Sequence, residues 1–191
     1  MQFFNVPLIR SYVGSPGCRS WLAGWAGFLL ITGCATRHQP PVLPEDRASF
    51  VVGFGEFVEW PAAAFNDPKA PFVIGVFGPG AMAEKFRSLA PDRRINGREV
   101  VIRPLQSDRE IPQCQVLFVS GFQRKYLPGI VARLKHASVL TVSEDLNDFN
   151  GSGVIINLFA VDGKTLFEVN RDAADRAGLK ISSKLLALAQ P

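Results

Sequence analysis

Three carboxylates crowd one short stretch of the sequence, Glu144, Asp145 and Asp148 in SEDLND. Carboxylates this close could divide acid and base roles between them or hold a cation, provided that a second polar cluster completes the site. The sequence offers no such cluster. Its 2 histidines are His38, in a Pro-rich segment, and His136, so a His-based triad or a two-His metal site would need distant, mismatched positions. Ser120, Ser143 and Ser152 have no paired base in sequence, and none sits in the G-x-S-x-G pattern of a nucleophile elbow. Gly78-Pro79-Gly80 follows an apolar run in the manner of a nucleotide-binding turn, but Ala83 fills the slot of the third glycine of G-x-G-x-x-G. The carboxylates therefore read as a solvated loop and the glycines as a plain strand-to-helix turn. We expect no enzyme, no cofactor and no metal site. The alternative is a small-ligand-binding or enzymatic α/β domain using the loops at 78–80 and 144–148, where parallel strands end.

The cysteines carry a different chemistry. Residues 1–33 hold two arginines, Arg10 and Arg19, no acidic residue, and the apolar run Trp21 to Ile31 (WLAGWAGFLLI). That run has the length of a signal-peptide h-region and is too short to span a bilayer. It ends in Ile31-Thr32-Gly33-Cys34, a pattern that resembles a bacterial lipobox, with Cys34 as the lipidated first residue of the mature chain. Ala35 rather than Asp comes next, which by resemblance to lipoprotein sorting implies the outer membrane. Residues 34–44 then form a Pro-rich polar tether that cannot bury a core. Residues 45–191 suffice for one domain with one hydrophobic core.

Charge narrows the partners. Arg10 and Arg19 are the only charged residues before Cys34, so without them the 21 basic residues fall to 19 against 17 acidic ones. The basic group Arg93, Arg94 and Arg98 is broken by Asp92 and Glu99 and has no interleaved aromatics, so nucleic acid is not expected.

Positioning falls to alternating elements. Phe50, Phe54, Phe57 and Val58 recur at i, i+4, i+7 and i+8, predicting a helix over Ser49 to Trp60 that Pro61 ends. Gly53 and Gly55 inside it read as close packing against a sheet. Phe72 to Phe77, Val116 to Ser120 and Val139 to Ser143 are continuous apolar runs, as in strands buried on both faces, and Glu99 to Pro104 is a shorter strand after the Asn96-Gly97 turn. Helices are predicted over Met82 to Leu89 and over Gln123 to Lys135, with Tyr126, Ile130 and Leu134 on one face. Gly153 to Ala160 and Lys164 to Val169 join through Asp162-Gly163 as an antiparallel hairpin on the sheet edge. Asn170 or Asp172 caps a closing helix that breaks near Gly178 and resumes over Ser182 to Leu188. The fold class is α/β, a mostly parallel sheet flanked by helices with an antiparallel C-terminal hairpin and closing helix, a Rossmann-like or flavodoxin-like sandwich.

These pieces, in this order, resemble the YfiR-like family of bacterial periplasmic proteins. The resemblance rests on Phe57 to Pro61 (FVEWP), Phe72 to Gly78, Ile95 to Arg98, Cys114 to Ser120, Val139 to Ser143, Gly151 to Gly153, Ile156 to Leu158, Phe167 to Asn170 and Ala177 to Ala187 (AGLKISSKLLA). It implies an α/β sandwich and a periplasmic repressor that binds the periplasmic sensing domain of a membrane diguanylate cyclase and restrains cyclic-di-GMP production. Membership also implies a cysteine in the first strand paired with the one at Cys114, yet Ile74 stands at that position. Cys18 lies in the signal and Cys34 is taken by lipid, so no internal disulfide is expected. Cys114 is then either an inert buried thiol or an exposed one that cross-links a homodimer.

The expected function is a lipid-anchored periplasmic regulatory protein. Glu59, Trp60, Arg171, Arg176 and Lys180 fall in the two most recognisable segments without the spacing of core residues, and they form the candidate partner interface.

Overall fold

The computed structural model describes residues 45–107, 111 and 113–190. Cys18, Cys34, His38, the signal segment and the tether lie outside them. Helix α1 (Glu45–Phe54) is followed by strand β1 (Val58–Glu59), a 3-10 turn over Ala62–Ala64 and strand β2 (Phe72–Phe77). Then come α2 (Gly80–Leu89), β3 (Arg94–Ile95), β4 (Arg98–Leu105), β5 (Val116–Val119), a 3-10 segment over Gly121–Tyr126, α3 (Leu127–Arg133) and β6 (Leu140–Glu144). The chain closes with α4 (Phe149–Ser152), β7 (Ile156–Val161), β8 (Lys164–Val169), α5 (Arg171–Arg176), β9 (Lys180–Ile181) and α6 (Ser183–Leu188).

Seven strands form one sheet in the order β3-β4-β2-β5-β6-β7-β8. The inner five are mutually parallel. Taken in chain order, they stand as second, first, third, fourth and fifth, the flavodoxin-like winding with its switch point between β2 and β5. β3 and β8 are antiparallel edge strands joined to their neighbours through Asn96-Gly97 and Asp162-Gly163. All four of those turn residues have positive φ, between 50° and 77°, the geometry that tight primed turns demand.

Continuous apolar runs are explained by a core on each side of the sheet. Phe72, Ile74 and Val76 point into one core with Val52, Phe54, Phe86 and Leu185, whereas Val73 and Phe77 point into the other with Leu127, Ile130 and Phe149. Helices α1, α2 and α6 cover the first face, and α3 and α4 cover the second.

The first helix differs from its sequence reading. α1 stops at Phe54, and hydrogen bonds from Glu56 N to Gly53 O and from Phe57 N to Phe54 O turn the chain so that Val58 and Glu59 enter a strand. The helical spacing of Phe57 and Val58 is thus fortuitous. Gly55, outside the helix, is the close-packed one: a Cβ there would lie 2.6 Å from Ile95 Cδ1 and 3.1 Å from the Phe72 ring. At Gly53 no atom lies within 4 Å of such a Cβ. The segment Gln123 to Lys135 also divides, into the 3-10 turn and α3, where Pro128 opens the helix. Ile130 is buried, Leu134 half-buried and Tyr126 exposed.

Candidate functional site

Two ends of the sheet hold the residues singled out by sequence. At the amino-terminal ends of the parallel strands, β1 and β9 form a separate antiparallel ribbon that sets Val58 opposite Ile181 and Glu59 opposite Lys180. The two apolar partners face inward and the opposite charges lie side by side in solvent, a pairing that contributes roughly 0.2–1 kcal/mol. Ser182 N donates to Phe57 O at 2.9 Å and extends the ribbon.

Trp60 is fixed beside this ribbon. Its indole N–H donates to Gln115 O at 3.2 Å, and its ring meets Phe72 edge-on at 5.0 Å, leaving it half-buried. Gln115, which sequence reasoning passed over, is the buried polar spacer beneath: its Oε1 accepts from Val73 N at 2.8 Å and its Nε2 donates to Ala64 O at 2.7 Å. A glutamine immediately before an apolar strand was the available signal. Further along the same end, Asn170 N donates to Ile155 O, and the Asn170 side chain caps α5 by accepting from Ala173 N at 2.9 Å. Arg171 and Arg176 are exposed on that helix, and Arg176 borders a cavity of about 430 Å³ with Val131, Val139 and Ala173. The fold therefore pairs Glu59 with Lys180, holds Trp60 one residue beyond Glu59, and sets Arg171 and Arg176 on α5 at the same end.

An apolar groove of about 260 Å³ adjoins the ribbon, lined by Phe50, Phe54 and Phe57 with Phe167, Leu185 and Leu188. Its floor is an aromatic cluster, with Phe54 and Phe167 in edge contact at 5.1 Å, and Leu188 at its rim is 65% exposed. Sequence reasoning missed this groove because it kept Phe57 inside the helix.

The carboxyl-terminal ends of the strands hold the carboxylates. Glu144 is the last residue of β6 and is buried, not a solvated loop residue: its Oε1 accepts from Gly121 N at 2.9 Å and its Oε2 from Arg47 Nη1 at 2.7 Å. Asp145 accepts from the same guanidinium at 2.8 Å and 3.2 Å. The bond to Asp145, ahead of that to Glu144, holds the Arg47 guanidinium above its ordinary range against the cost of burial. Asp148 caps α4 by accepting from Gly151 N at 3.1 Å. All three carboxylates are thus engaged by the fold. The crevice at the switch point is narrow, since a Cβ on Gly78 would lie 3.1 Å from Ser120 Cβ and Oγ. The cavities beside Arg176, Arg93, Cys114 and Phe54 include no residue of 78–80 or 144–148. Among the described residues, no three His, Cys, Asp or Glu side chains gather closely enough to hold a metal, and no helix is long and apolar enough to cross a membrane.

Cys114 is buried, and desolvation pushes its thiol up to about 12 from an ordinary 9.0, outweighing a backbone hydrogen bond with Gly75 and the charge of Arg103. His136 is exposed.

A sheet of flavodoxin-like winding, with Glu144, Asp145 and Asp148 tied into its scaffold and Glu59 paired with Lys180 on an outer ribbon, defines a protein of the α/β sandwich class. The chain belongs to the YfiR/HmsC-like family, whose model matches residues 45–190. No curated protein matches it. Membership points to a periplasmic regulator of cyclic-di-GMP synthesis.

Proposed function

We propose that this protein is a lipid-anchored periplasmic regulator, attached through Cys34 to the outer membrane, that docks on the periplasmic domain of a membrane diguanylate cyclase and restrains it. The observation that carries the docking site is the β1–β9 ribbon, which sets Glu59, the residue before Trp60 in one recognisable segment, opposite Lys180 from the other. Trp60 serves as the apolar anchor because its packing on Phe72 and its bond to Gln115 O order the ring before any partner arrives. A preordered aromatic loses little freedom on binding, and such anchors carry about 2 kcal/mol or more at interfaces. Arg171 and Arg176 supply charged rim contacts.

The test is cyclic-di-GMP in cells carrying the cognate cyclase, with Trp60→Ala and Arg176→Glu made singly and their folding checked by circular dichroism. Both variants should fold and release the cyclase, Trp60→Ala more completely. Folded variants that restrain it as well as wild type would sink the proposal. Should Trp60→Ala unfold, Arg176→Glu and the charge reversal Lys180→Glu still decide, because both side chains are exposed.

A further inference from the structure

The 3-10 segment Gly121–Tyr126 has a use that the docking ribbon does not explain. Phe122 is 80% exposed at its apex, among the least covered of the large apolar side chains. Arg124 and Lys125 follow it, and among the described residues neither pairs with a carboxylate: Arg124 Nε donates to Gly121 O at 3.0 Å, and Lys125 Nζ sits 5.0 Å from the Tyr126 ring centroid. Tyr126 is itself held against Phe77 at 5.5 Å and is 37% exposed. An apolar tip with an amphipathic aromatic and two unpaired cations behind it is the composition that settles at a lipid headgroup boundary, where the ring enters the acyl edge and the cations meet anionic phosphates.

Placement supports the same occupant. Arg47, in the first turn of α1, bonds Glu144, and the same carboxylate accepts from Gly121 N, so the start of α1 and the base of the Phe122 turn share one ion pair. The described chain therefore begins, at α1, beside the Phe122 turn. Val161, 46% exposed, and Lys164 stand at the β7–β8 hairpin tip on this same end of the sheet. Of the described acidic residues near this end, Glu144 and Asp145 are engaged by Arg47 and Asp148 caps α4, while Asp162 stands in the hairpin turn itself. We propose that the carboxyl-terminal end of the sheet, led by Phe122, Arg124 and Lys125, is a contact surface for an anionic phospholipid membrane. It stands on the fold and not on lipidation of Cys34, which would only hold the same end near a bilayer.

The experiment labels Phe122→Cys with an environment-sensitive fluorophore in the full chain with Cys18 and Cys34 each replaced by Ser, Cys114 being buried and its thiol protonated. Vesicles of phosphatidylethanolamine and phosphatidylglycerol carrying brominated acyl chains should quench the label, vesicles of phosphatidylcholine should not, and a label at Lys180→Cys on the opposite end should stay bright. Adding Arg124→Glu and Lys125→Glu should lower the vesicle affinity of the Phe122 site by at least about tenfold. Sedimentation of the unlabelled chain that keeps Cys34 reports membrane attachment separately: quenching of the labelled chain supports the contact whether or not the Cys34 chain sediments. An unquenched Phe122 label, or equal quenching at both ends, overturns the proposal whether or not the chain sediments.

Discussion

A single thiol shows how position governs chemistry in this fold. Cys114 lies at the base of β5 within a core that includes Val73, Leu117 and Val139, and the described residues offer it no second cysteine. Because the thiolate and not the thiol reacts, a group pushed up to about 12 is inert at neutral pH. A thiol-specific chromophoric reagent should therefore leave the native protein unmodified and titrate Cys114 fully in denaturant. Rapid modification of the native state would place the side chain at the surface. Stability should carry the same signature. The unfolded chain ionises its thiol near 9.0, so below that pH both states hold the proton and the contribution of Cys114 is constant. Between 9.0 and about 12 only the unfolded state sheds the proton, and stability falls by about 1.4 kcal/mol per pH unit relative to Cys114→Ala. Urea midpoints of the two proteins measured from pH 8 to 11 should converge as pH rises; parallel curves would contradict the burial. Reductant should leave the melting temperature of the mature domain unchanged, since losing an internal disulfide would cost about 2–5 kcal/mol. A clear drop would mean that Cys114 is bonded between chains.

At the level of elements, the parts held by local rules were legible and the parts held by distant contacts were not. Phe72 to Phe77, Val116 to Val119 and β6 as far as Ser143 announce themselves because strands covered on both faces need mostly apolar residues at consecutive positions. Asp162-Gly163 and the caps Asn170 and Ser182 are likewise readable, since their hydrogen bonds close within three residues. The end of α1 was not, because β1 exists only through pairing with β9, far away in sequence. Nor was the role of Glu144, whose Arg47 partner lies 97 residues away. Of the candidate interface, the residue types were legible, but their assembly into a ribbon depended on that same pairing. The two glycines of this region should now separate. Gly53→Ala, in the helix with open space around the added methyl, should stabilise by up to about 1 kcal/mol. Gly55→Ala should destabilise by about 1–3 kcal/mol, because Ile95 and Phe72 must shift in a buried contact. Equal effects at both positions in thermal melts would refute this account of where α1 ends.

Over the whole molecule, the Cys34 reading sets how the domain meets its surroundings. Replacing Cys34 with Ser should abolish incorporation of labelled fatty acid and detergent partitioning of the mature form; unchanged labelling would rule the anchor out. The fold adds a second consequence, because its two candidate surfaces occupy opposite ends of one sheet. Trp60 bonds Gln115 O immediately before β5 begins, whereas Phe122 lies just after β5 ends. Helix α1 begins beside the Arg47 ion pair and ends at Phe54, just before Gly55 packs against Phe72 at the other end of the sheet. On the two proposals above, a domain held to a bilayer at one end would present the other to a partner. Sites this far apart that share no residue should act additively. Phe122→Ser should weaken vesicle binding and leave capture of the cyclase periplasmic domain unchanged, while Trp60→Ala should do the reverse. In the double variant the losses should add within about 0.5 kcal/mol when partner and vesicles are titrated in turn. A larger coupling would mean that membrane and partner compete for, or cooperate through, one face, and the assignment of the two ends to separate tasks would fall.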